Sequence, residues 1–205
     1  MDNKFWSGRI NCLTPYVPGE QPKDGVNYIK INTNENPYGP SPKVFEAISK
    51  ANDNRLRLYP DPGNLEVRTA FSARYGVPPE NVFVGNGSDE VLATAFQAFY
   101  DESRPVLLPG VSYSFYPVYC NLYKIPYKEI DMNPDLTLNT AEFLRPGGVV
   151  LANPNAPTSL ELGLTDLVKI IEAHPDDVVT IDEAYAEFGG VSALPLIPEY
   201  ENLLV

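Results

Sequence analysis

From Val82 to Val205 short β-rich runs alternate with helical stretches, and this rhythm constrains the fold more than any other feature of the chain. Val82-Phe83-Val84 precedes a helix opening at Ser88, and Val106-Leu107-Leu108 precedes the helical stretch Phe115 to Tyr123. Pro126 to Ile130 and Val149-Val150-Leu151-Ala152 follow, then a helix near Thr165 to Ala173 and the run Val178-Val179-Thr180-Ile181. Strands separated by helices predict an α/β fold on a mostly parallel sheet, because parallel neighbours need a crossover between them. Leu203-Leu204-Val205 begins one more apolar run, at which the sequence stops. Half-made strand edges invite aggregation, so the expectation is a chain truncated within a larger domain.

Residues 1–40 read differently. They are rich in Pro, Gly and Asn and show little helical periodicity, which predicts an N-terminal arm. Ser41 can cap a helix with Pro42 in its first turn and Val44, Phe45 and Ile48 on one face. A second helix is expected from about Asn64 to Tyr75, ended by Gly76. The balance of 27 acidic against 15 basic side chains gives a net charge of -12, with no lysine or arginine run, so no nucleic-acid partner is expected. No stretch approaches the roughly 20 apolar residues of a membrane span. Neither a membrane partner nor a leader is expected, and the reading is a cytoplasmic protein. Cys12 and Cys120 lie far apart without a CxxC partner, which suggests reduced thiols and no zinc site.

Three segments carry candidate chemistry. In Val82 to Glu90 a strand-like run meets the turn Gly85-Asn86-Gly87 and then a helix start at Ser88. Such a turn gathers unpaired backbone N–H groups at the positive end of a helix, which suits a phosphate; it equally suits an ordinary βα turn capped by Ser88. In Val179 to Tyr185, Asp182 stands at the carboxyl end of an apolar strand, where open α/β sheets hold ligands. A carboxylate there calls for a cation: a protonated pyridine nitrogen, a buried arginine or a metal, unless it is simply solvated. In Leu151 to Thr158 the Asn-Pro repeats form turns, and an asparagine there could donate to a ligand oxygen.

Taken in order, Leu13-Thr14-Pro15-Tyr16, Asn34-Glu35-Asn36-Pro37, Tyr59-Pro60-Asp61-Pro62, Gly85 to Glu90, Pro154 to Thr158 and Asp182-Glu183-Ala184-Tyr185 make a pattern along nearly the whole chain. That pattern resembles the fold-type-I pyridoxal-phosphate aminotransferases and, within them, the histidinol-phosphate aminotransferase type of histidine biosynthesis. The resemblance implies residues 41–205 as part of a cofactor-binding large domain, the first helices lying toward a small domain. It implies pyridoxal 5'-phosphate as cofactor, an amine and a 2-oxo acid as substrates, and a homodimer with its active site at the interface. Gly87 and the Ser88 and Asp89 amides would hold the phosphate, and Tyr113 would stack on the ring. Asp182 would pair with the ring nitrogen, while Tyr185 and Asn155 would bond the ring oxygen. Tyr59 would reach the neighbouring subunit's phosphate, and Tyr16 and Asn36 would close over substrate.

The chain departs from that family in two places. The common loop Pro-Asn-Asn-Pro-Thr-Gly has Ala156 and Ser159 in place of its second Asn and its Gly, which leaves the ring-oxygen donor at Asn155 or missing. The Ser-Lys pair that supplies the Schiff-base lysine in the family would follow Val205, so the chain as it stands is expected to lack transamination. Ser49-Lys50 sits near a helix end in the wrong order for that role. His174 precedes Pro175 at a helix end and reads as a dipole contact; the tyrosines from Tyr113 to Tyr123 read as packing, apart from Tyr113. The alternatives are another enzyme of the same fold, such as a threonine-phosphate decarboxylase or an aromatic aminotransferase, and a binding module without chemistry. A dinucleotide-binding domain fits poorly, since the glycine turn lacks the third glycine of that fingerprint.

Overall fold

The computed structural model describes residues 4–11, 13 and 29–205. Six α-helices occur among them in chain order: α1 Gly8–Asn11, α2 Pro42–Ala51, α3 Leu65–Tyr75, α4 Ser88–Phe99, α5 Tyr116–Tyr123 and α6 Leu164–Ala173. The strands are β1 Val106–Pro109, β2 Tyr127–Ile130, β3 Gly148–Ala152, β4 Val179–Asp182 and β5 Leu203–Leu204. The chain divides into two compact units, residues 14–64 and residues 1–13 with 65–205.

Within the unit of residues 14–64, α2 begins as its sequence dictates. The Ser41 hydroxyl accepts the Lys43 N–H at 3.3 Å and Pro42 occupies the first turn, where its missing N–H costs nothing. A 3-10 turn, Asn54–Arg57, is capped in the same way by Asp53, whose carboxylate accepts the Arg55 N–H at 2.8 Å. Neither element buries a residue.

The other unit holds the sheet, in the order β2-β1-β3-β4-β5, with every pairing parallel. Side chains alternate between its faces with the strand period of two. Leu107, Val149, Leu151 and Ile181 pack with Leu167, Ile170 and Ile171 of α6 and with Phe143. Val106, Leu108 and Val150 pack on the other face with Leu92 and Phe96 of α4 and with Tyr116, Tyr119 and Cys120 of α5. Both faces are therefore covered, which explains why the strands read as unbroken apolar runs. The Cys120 thiol sits in the second core, and burial pushes its pKa up to about 12, leaving it unreactive.

The expected α3 is present, and Gly76 ends it with φ +76, a value that favours glycine. Residues 82–84 differ from expectation. Val82 is extended, but the three residues join no strand, and Phe83 is 64% exposed. Three β-prone residues do not make a strand unless a neighbour supplies hydrogen bonds. Chain order also locates the crevice of the sheet: β1 is followed by β2 on one side and flanked by β3 on the other. Loops therefore diverge at the carboxyl ends of β1 and β3, where ligands of open α/β sheets bind.

Candidate functional site

Asp182 is the last residue of β4, at the exit edge of the sheet. Its Oδ2 accepts the Tyr116 hydroxyl at 2.8 Å, and its Oδ1 accepts the Ala184 N–H at 3.1 Å. Tyr116 is 1% exposed; burial, and after it the Asp182 charge, raises its phenol pKa, so it remains a proton donor to the carboxylate. Two bonds thus aim Asp182 while water still reaches it.

The amino terminus of α4 lies at the same edge. Gly87 caps it at φ +82, and a Cβ there would meet nothing within 4 Å, so the approach to the first turn is open. Ser88 and Asp89 are exposed first-turn residues, whose N–H groups have no acceptor within the helix. Gly85 is required for a different reason, since a Cβ would meet Val91 Cγ2 at 2.9 Å and Glu90 Oε2 at 3.2 Å. The Glu90 carboxylate turns back to accept the Asn86 N–H, which fastens the turn. An open helix start with unclaimed amides fits a phosphate.

The loops after β1 and β3 are tied together by Asn155. Its Oδ1 accepts the Ser112 hydroxyl at 2.7 Å, and its Nδ2 donates to the Val111 carbonyl and the Thr158 hydroxyl, both at 2.9 Å. Both amide protons are spent, so Asn155 reaches a ligand oxygen only by releasing one of these bonds. Asn153, 1% exposed, acts as a spacer: it pairs with Leu162 through Nδ2 to the carbonyl at 3.2 Å and through Oδ1 from the N–H at 2.8 Å. Tyr113 stands beyond β1 with its hydroxyl on Asp89 Oδ1 at 2.8 Å and its ring edge-on to Tyr116, centroids 5.5 Å apart. Tyr185 follows β4, its ring 6.4 Å from that of Phe188.

The fold therefore brings Gly87, Ser88, Asp89, Tyr113, Asn155, Asp182 and Tyr185 to one edge of one sheet. Tyr59 and Asn36 belong to the unit of residues 14–64; Tyr59 is fully exposed, and Asn36 Oδ1 accepts the Tyr38 N–H at 2.9 Å. Tyr16 lies outside the described residues. Sequence reasoning missed Tyr116, Tyr119, Ser112 and Glu183. The spacing of Tyr113, Tyr116 and Tyr119 held the signal, because residues three apart share one side of a helical turn. Glu183 is bonded to a different loop: its Oε2 accepts the Ser192 hydroxyl at 2.6 Å and its Oε1 the Ala193 N–H at 2.5 Å. Burial raises its pKa above 4.5. His174 ends α6 and is 1% exposed, with Nε2 on the Phe143 carbonyl at 2.6 Å, so it is a buried brace. Among the described residues no cluster could hold a metal ion, and no helix is long and apolar enough to cross a membrane.

Comparison with known proteins agrees with this architecture. The family described as aminotransferase class I and II matches residues 26–205. A histidinol-phosphate aminotransferase of Acetobacter pasteurianus is 56% identical over 99% of this chain and 57% of its own length. Histidinol-phosphate aminotransferase 1 of Bordetella parapertussis is 50% identical over 99% of this chain and 58% of its own. The chain thus spans a little over half the length of these relatives. Among solved structures, histidinol-phosphate aminotransferase from Sinorhizobium meliloti in complex with pyridoxal-5'-phosphate superposes with a TM-score of 0.71. It is 25% identical, covering 83% of this chain and 49% of that one. L-threonine-O-3-phosphate decarboxylase from Porphyromonas gingivalis gives 0.67 at 26% identity, over 78% and 51%.

Proposed function

Because the chain belongs to the class I and II aminotransferases, we propose that it is the cofactor-binding portion of a histidinol-phosphate aminotransferase, a cytoplasmic homodimer of histidine biosynthesis. The observation that carries this reading is identity of 50% and more along 99% of the chain to relatives of that name. Its substrates would be L-histidinol phosphate and 2-oxoglutarate. Residues 1–40 would form the arm and residues 41–205 part of the large domain.

Bound pyridoxal 5'-phosphate would supply an electron sink for chemistry at the amine-bearing carbon. The chain's own residues do the rest. The Ser88 and Asp89 amides and the dipole of α4 receive the phosphate across Gly87, where no side chain intrudes. Asp182 holds a proton on the ring nitrogen, and the Tyr116 hydroxyl keeps that carboxylate aimed. Tyr113 covers the ring. Tyr185 donates to the ring oxygen, a role Asn155 joins only if it releases Val111 or Thr158. Tyr59 would come from the partner subunit, and Tyr16 and Asn36 would meet the substrate.

Titration of the chain with pyridoxal phosphate tests the cofactor. Binding with a shifted visible band is expected, with a loss of tenfold or more in Asp182→Ala; no spectral change, or no loss, sinks the assignment and favours a module without chemistry. Turnover of the complete gene product on L-histidinol phosphate tests the substrate. Preference for an aromatic amino acid, or release of carbon dioxide from threonine phosphate, would replace it; the likeness to the Porphyromonas decarboxylase favours the latter as the second reading.

A further inference from the structure

The backbone and the side chain of Asp89 face different tasks. Its N–H belongs to the open first turn of α4, while its carboxylate is a negative group beside the place where a phosphate would lie. A carboxylate in a first turn suits the helix dipole but competes with a bound anion. Here the side chain is turned onto two phenols. Oδ1 accepts the Tyr113 hydroxyl at 2.8 Å and the Tyr119 hydroxyl at 3.1 Å, and the Asp89 carbonyl also lies 3.1 Å from the Tyr119 hydroxyl. Tyr119 is 4% exposed, and burial first, then the Asp89 charge, raises its pKa, so it stays a donor. Tyr113 lies between β1 and α5, in the stretch 110–115 that belongs to neither, where its hydroxyl bond to Asp89 and its packing on Phe115 and Tyr116 set its ring plane.

We propose that the Asp89 carboxylate is a positioning residue, which fixes the Tyr113 ring relative to the amino terminus of α4 and is itself braced by Tyr119. The phosphate-binding and ring-binding halves of the site are then held at one spacing by a single residue that serves both. The assignment rests on the cofactor reading given above. It makes a claim that a general structural role does not: removing the carboxylate harms binding of the ring and spares binding of the phosphate.

The experiment compares pyridoxamine 5'-phosphate, which cannot condense with surface lysines, with inorganic phosphate, by calorimetry and by circular dichroism induced in the ring's absorption band. Asp89→Ala is expected to weaken pyridoxamine phosphate about tenfold, the scale of one charge-assisted hydrogen bond, and to abolish the induced signal. Inorganic phosphate should bind within about twofold of wild type, or more tightly with the neighbouring charge gone. Asp89→Asn keeps an oxygen acceptor and should restore most of the induced signal. If Asp89→Ala does not fold, Tyr113→Phe breaks the same bond with the ring retained and must show the same ring-specific loss. Equal weakening of both ligands, or an induced signal unchanged in Asp89→Ala, overturns the assignment while leaving the cofactor reading intact. A wild-type chain that binds no pyridoxamine phosphate overturns both.

Discussion

At the entry end of the sheet the Tyr100 hydroxyl meets Thr180 Oγ1 at 2.6 Å and the Val149 carbonyl at 3.1 Å, and Asn202 donates to the Ile171 and His174 carbonyls that end α6. Arg104 reaches Asp177 at 2.9 Å at that same end. At the exit end, Asp182 and Asp89 gather with Glu90 and Glu183, and the hydroxyl donors that reach the first two are tyrosines. The entry end ties its elements together through these bonds, which rigidifies it, although the buried His174 Nδ1 is left without a partner among the described residues. The other gathers carboxylates that form no ion pair among the described residues, an arrangement that costs stability and leaves balance to a ligand. Substitutions at the entry end should therefore damage folding, and substitutions at the exit end should damage binding.

Gly148→Ala should show the largest effect. A Cβ at Gly148 would stand 2.5 Å from Tyr100 Cε1 and 2.7 Å from Cδ1, and the ring cannot swing aside because its hydroxyl is held by Thr180. Overpacking of this kind costs about 3 kcal/mol, read as a lowered urea midpoint. Affinity for pyridoxamine phosphate should be unchanged in the fraction that remains folded. A variant as stable as wild type would break the contrast at its strongest point.

Asn202→Ala follows. It strips the second donor from two carbonyls at the end of α6, since Ile171 also accepts the His174 N–H and His174 the Asp177 N–H, both at 3.2 Å, and the two lost bonds together cost about 2 kcal/mol. Amide exchange of the α6 carboxyl terminus should quicken in step with the loss of stability. Exchange that quickens at α4 instead would show that the two ends are coupled.

These entry-end groups explain what was legible in the chain beforehand. Ser41 with Pro42, Gly76, and the apolar runs of β1, β3 and β4 are local signals, so the elements they specify could be read directly. Asp182 and the turn Gly85 to Ser88 were legible because a strand end and a helix start are local too. Asn202 was not, since its acceptors lie 28 and 31 residues away, and neither was Tyr116, whose hydroxyl finds a carboxylate 66 residues on. Residues 82–84 misled for the same reason, because a strand exists only through its neighbour.

Tyr116→Phe sharpens the contrast from the exit side. The ring keeps its packing with Phe96, and only the hydroxyl bond to Asp182 is lost. Because water reaches Asp182, the cost to stability should be about 1 kcal/mol or less. Pyridoxamine phosphate should bind about tenfold more weakly, as the carboxylate loses the donor that aims it. A large stability loss with unchanged binding would place Tyr116 with the entry-end groups.

The smallest effect concerns Glu183, which lies at the exit end but is paired in the entry-end manner by Ser192 and Ala193. Burial raises its native pKa above 4.5, so the folded chain holds this proton after the unfolded chain has released it. Its contribution is full below pH 4.5 and is lost as pH rises through the raised native value. Wild-type stability should carry a shallow downward slope in that window. Glu183→Gln removes the proton, keeps an oxygen for the Ala193 N–H and offers an amide to the Ser192 hydroxyl. It should flatten the slope while changing stability at pH 7 by about 1 kcal/mol or less. A slope that persists in Glu183→Gln would show that Glu183 is not its source, and that its pairing by Ser192 and Ala193 leaves stability at the exit end independent of its proton.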